Sequence, residues 1–78
     1  METKTPNTEK VIDSAFDSVN LINKLVTETA DEKKKKSVER NVRHLELMLT
    51  KDFFKDALTE SQKNDIDASI LSGNNYIV

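Results

Sequence analysis

The chain contains no cysteine, so neither a disulfide framework nor a thiolate metal site is available to it. It has one glycine, Gly73, and one proline, Pro6. So few turn-formers exclude an all-β fold, which needs many tight turns. No apolar run approaches the ~18 residues of a membrane span. The opening METKTPNTEK lacks the apolar segment of a signal peptide, so a cytoplasmic protein with no membrane role is expected. No glycine-rich phosphate loop exists, because Gly73 stands alone. These absences leave a small helical protein, and the mixture of 36% apolar and 33% charged residues fits one that folds rather than a disordered chain.

At 78 residues the chain is expected to form one domain over 1–78. That lies near the ~70–80 residues below which a single core is only marginally stabilising, so each element must serve one core or share it with another copy. The net charge of −2 hides an asymmetry. Residues 1–32 hold seven acids against three bases, 33–44 six bases against one acid, and 45–78 six acids against three bases. A local block of +5 is therefore set in a molecule that otherwise carries −7.

Apolar periodicity supplies the organisation. Ile12, Ala15, Phe16, Val19, Ile22 and Val26 recur at spacings of three and four, and Pro6 suits a first helical position, so a helix is expected over 6–28. Continued straight, that stripe would bring Lys33, Lys36 and Arg40 inward, so the chain must turn between Val26 and Lys34. Thr29 and Glu32 have the spacing of a capping box for a second helix over 31–58, with a kink allowed near Thr50. At about 100° per residue, Val38, Val42, Leu45, Leu49 and Phe53 share one face of it. Leu47, Phe54 and Leu58 share the opposite one. A third helix over 60–72 follows from the Thr59/Gln62 capping box and from Ile66, Ile70 and Leu71, with Gly73 as its left-handed stop and an apolar tail at 74–78. The expected fold is all-α, a long antiparallel helical hairpin plus a short third helix forming a three-helix bundle, with Leu45, Leu49 and Ile66 in the core.

The segment Leu47 to Ile77, through Phe54, Leu58-Thr59, Gln62-Lys63, Ile66, Ile70 and Gly73, resembles the ends of small helical proteins of large tailed bacteriophages. The resemblance covers less than half the chain and brings no functional residue with it. It implies a phage accessory protein working in the bacterial host cytoplasm.

The chemically distinctive segment is DEKKKKSVERNVRH, Asp31 to His44. On a helix Lys33, Lys36, Arg40 and Arg43 form one stripe, with His44 at its edge and Leu47 and Phe54 continuing it. Taken with Tyr76 and Ile77 from the tail, these residues are the candidate partner surface. Leu21 and Leu25, off the first helix's stripe, are further apolar candidates. The plainest alternative is that the lysines are the solvated first turns of a helix, although the helix dipole disfavours bases there. Phosphate contacts to nucleic acid are a third reading, weakened by acidic surroundings and by the lack of interleaved aromatic residues. One histidine with scattered carboxylates gives no metal site, and neither the serines nor the acid pairs Asp13/Asp17 and Asp65/Asp67 show a partner or cleft for catalysis. The expectation is thus a non-enzymatic interaction protein without cofactor, binding a protein partner or self-associating. A nucleic-acid-associated protein and a small structural subunit of an assembly are the alternatives.

Overall fold

A computed structural model describes residues 5–78 of the chain, with side chains described from Glu9 onward. The structure is all-helical, with no strand among the described residues. Its elements are α1 (Thr5–Leu25), α2 (Glu32–Met48), α3 (Asp52–Ala57) and α4 (Glu60–Ile77).

Helix α1 ends at Leu25, three residues before the expected boundary. There the Thr27 amide and hydroxyl both donate to the Lys24 carbonyl, at 3.3 and 2.7 Å, and the Glu28 amide donates to Leu25. These i→i+3 bonds tighten the last turn and stop the helix without glycine. The connection that follows lies within the span Val26 to Lys34 where the two stripes require it. Asp31, rather than Thr29, caps α2: its carboxylate accepts the Lys34 amide at 2.8 Å. Asp31 also places a negative charge at the positive end of the dipole, which partly offsets the lysines that follow.

The expected helix over 31–58 is broken. Helix α2 stops at Met48, and the Thr50 amide and hydroxyl both return to the Leu47 carbonyl while the Lys51 amide donates to Met48. Lys51 then takes an extended conformation, with φ of −95° and ψ of 118°, before α3 begins. The break changes the rotational phase of everything after it. Phe54 is fully buried, with no exposed surface, whereas Phe53 is 53% exposed. Leu49, expected in the core, is half-buried and packs at its edge.

The capping box at the start of α4 forms as its sequence requires: the Gln62 amide donates to the Thr59 hydroxyl at 3.1 Å, and the Thr59 amide donates to the Gln62 side chain at 2.9 Å. Gly73 does not stop this helix. Its φ is not positive, and α4 runs through it to Ile77, so the expected tail at 74–78 is helical up to its last residue. Gly73 is buried because the backbone comes close to another helix there. A Cβ built on it would overlap Val42 Cγ2, lie 3.2 Å from Val38 Cγ1 and lie 3.5 Å from Ile22 Cγ2.

The core joins all four helices. Ala15, Val19 and Ile22 come from α1, and Val38, Val42 and Leu45 from α2. Phe54 of α3, Leu58 at its end and Ile66 of α4 complete it. Each large apolar side chain buried here contributes about 1.5–3 kcal/mol. Contacts link α1 with α2, α3 and α4, and α2 with α4.

Candidate partner-binding surface

With Val38, Val42 and Leu45 buried, the opposite side of α2 faces solvent. Lys33, Lys36, Arg40, Arg43 and Leu47 all lie on it and all are exposed. At about 100° per residue they fall within a strip roughly 80° wide, so the row runs nearly parallel to the helix axis. Leu47, at its C-terminal end, is 57% exposed. His44, beside the row, is half-buried.

The four consecutive lysines have different surroundings. Lys34 folds back over the α1–α2 connection, pairing with Glu28 at 3.3 Å and Asp31 at 3.8 Å and donating to the Thr29 carbonyl. It serves the turn. Lys35 is half-buried. Lys33 and Lys36 are on the open row, and with Arg40 they have no carboxylate within 4 Å among the described residues. Arg43 pairs with Glu39 at 3.0 Å across one helical turn, with its side chain 74% exposed. Such an exposed pair contributes little to stability.

Lys36, Glu39, Arg40 and Arg43 border a depression of about 330 Å³. Among the described residues only helix α2 bounds it, so a small molecule there would keep much of its surface in water, whereas small-molecule sites bury about 70–90% of a ligand. The face suits an extended, charged partner better than a substrate.

Three residues expected on this surface lie elsewhere. Phe54 is a core residue, because the break at Leu49–Lys51 turns it inward. Tyr76 and Ile77 occupy the last turn of α4 and are half-buried against the core. The Tyr76 hydroxyl is buried without a hydrogen-bond partner among the described residues, beside a recess of about 370 Å³ that Val26, Ser72 and Asn75 also line. Leu25 is likewise half-buried against the core, and Leu21 is 38% exposed.

The structure also brings together residues that periodicity did not connect. Ser69 is buried, and its hydroxyl donates to Asn23 Oδ1 at 2.9 Å across the α1–α4 seam. The pair lines a groove of about 270 Å³ with Phe16, Asn20, Asp65 and Ser72. Among the described residues no three His, Asp or Glu side chains gather as metal ligands, and no helix is long and apolar enough to cross a membrane. No protein-family model, curated protein or solved structure matches the chain.

Proposed function

We propose that this chain is a small, non-enzymatic interaction protein that docks an acidic protein partner on the outer face of α2. Its architecture is read as a bundle of three long helices built on an antiparallel hairpin, with α3 as a short buckle between the second and the last. One observation carries the docking reading: an exposed row of four cations, three of them without a carboxylate partner among the described residues, ends in an exposed leucine. Long-range charge would speed encounter and set orientation, while burial of Leu47 would slow dissociation. The resemblance of Leu47 to Ile77 to phage proteins supports a phage accessory protein that works in the bacterial cytoplasm.

Nucleic acid is the second reading, favoured by the same straight row of cations. Against it, the rest of the chain carries −7 and repels a polyanion.

A variant with Lys33, Lys36, Arg40 and Arg43 all changed to Gln separates these readings. All four are exposed, so its circular dichroism should match the parent. After nuclease treatment of a lysate from bacteria that also express the untagged chain, the parent should retain a defined protein that the variant does not. In parallel, oligonucleotide binding by the parent should be weak at about 50 mM salt and lost near about 150 mM. Equal capture by parent and variant would refute docking on α2. Tight oligonucleotide binding that persists with salt, and that the variant lacks, would make nucleic acid the function.

A further inference from the structure

The outer face of α1 carries the counterpart of the α2 row. Glu9, Asp13 and Asp17 are exposed and spaced four apart, and the next step of the same row is the exposed Leu21. A row of this kind is an inclined ridge of the sort that packs against a neighbouring helix. Lys10 is the only base between Glu9 and Leu21. Among the described residues, neither Asp13 nor Asp17 has a base within 4 Å.

On α2, Lys36, Arg40 and Arg43 lead to Leu47 at spacings of four, three and four. The two rows match in length: at 1.5 Å per residue, Glu9 to Leu21 spans about 18 Å and Lys36 to Leu47 about 16.5 Å. Each carries three like charges followed by one exposed leucine, and the signs are opposite. Laid side by side in the same direction, they place Glu9, Asp13 and Asp17 along Lys36, Arg40 and Arg43, and Leu21 against Leu47. In an antiparallel arrangement each leucine would lie beside a charge at the opposite end.

We infer that the acidic partner of α2 is a second copy of this chain, engaged through the outer ridge of its α1. This rests on the docking reading above and names the partner. The contact joins two different faces, so it either closes reciprocally into a two-fold dimer or continues from copy to copy. Two helices meeting over about three turns form a small interface, and weak, salt-sensitive association is expected.

Sedimentation equilibrium of the nuclease-treated full chain tests the inference at protein concentrations up to about 1 mM, the range that detects weak complexes. The parent should exceed monomer mass at about 50 mM salt, with association about tenfold weaker or more at about 500 mM. Two charge reversals, Lys36→Glu/Arg40→Glu on α2 and Asp13→Lys/Asp17→Lys on α1, should each be monomeric. Mixed one to one, they should form a complex, because the exchanged charges are again complementary. Asp56→Lys/Asp67→Lys, exposed and with the same change in net charge as the α1 reversal, should associate like the parent.

A parent that stays monomeric at low salt overturns the second copy as partner. It leaves docking on α2 intact if the four-Gln variant still loses its captured protein. Self-association that survives reversal on α2 shows that a different face is used, and equal lysate capture by the four-Gln variant would then refute the docking reading as well. A monomeric mixture beside an associating parent overturns the pairing of these two rows.

Discussion

Gly73 shows how the absence of a side chain can fix a helix contact. Alanine is favoured over glycine inside a helix by about 1 kcal/mol, so Gly73→Ala on an isolated helix would be stabilising. In the folded protein the added methyl group meets Val42 Cγ2 at overlap distance and crowds Val38. Both are β-branched side chains with little rotamer freedom on a helix. Overpacking of this kind costs about 1–3 kcal/mol. The expected net result is a loss of up to about 2 kcal/mol in chemical denaturation, and a smaller effect when the same substitution is made in a Val42→Ala background. A more stable Gly73→Ala would mean that α2 and α4 separate slightly at no cost. The glycine's role was not legible in the sequence, because a glycine near a helix end more commonly marks its stop. The approach of Val42, a feature of another helix, decides the matter.

At the scale of elements, the break between α2 and α3 sorts two adjacent phenylalanines into opposite environments. Phe54→Ala should cost about 3–5 kcal/mol, the usual penalty for emptying a buried aromatic site. Phe53→Ala should stay within about 0.5 kcal/mol, as for most surface substitutions. Urea denaturation of both variants checks the pair, and equal losses would show that α3 is rotated from the position described. The sequence revealed what lies within uninterrupted helical runs: the buried stripe of Val38, Val42 and Leu45, the need to turn after Val26, and the capping box at Thr59. It did not reveal the break, which contains neither glycine nor proline and rests on a threonine returning to the Leu47 carbonyl. Extending one helical phase past Met48 misplaces Leu49, Phe53 and Phe54 together. The cationic row was legible because it lies wholly within α2. The loss of Phe54, Tyr76 and Ile77 from the surface follows from that break and from the continuation of α4.

For the whole molecule, principal extents of 47, 20 and 18 Å describe a rod about two helices thick. Such a shape gives long outer faces and little interior volume. Within that rod, the second half of α4 has another consequence. Ser69, Ser72, Gly73, Asn74 and Asn75 are all modest or poor helix formers, yet the segment is continuously helical because Ser69 and Gly73 let it seat against α1 and α2. Its helicity is therefore conditional on docking, and the two are gained and lost as one event. In native-state hydrogen exchange, the amides of Leu71 to Asn75 should open with the free energy and denaturant dependence of global unfolding. Easier exchange there would reveal a separately melting end. A peptide spanning residues 60–78 should be largely unstructured in water, because its helix is held by neighbours it no longer has.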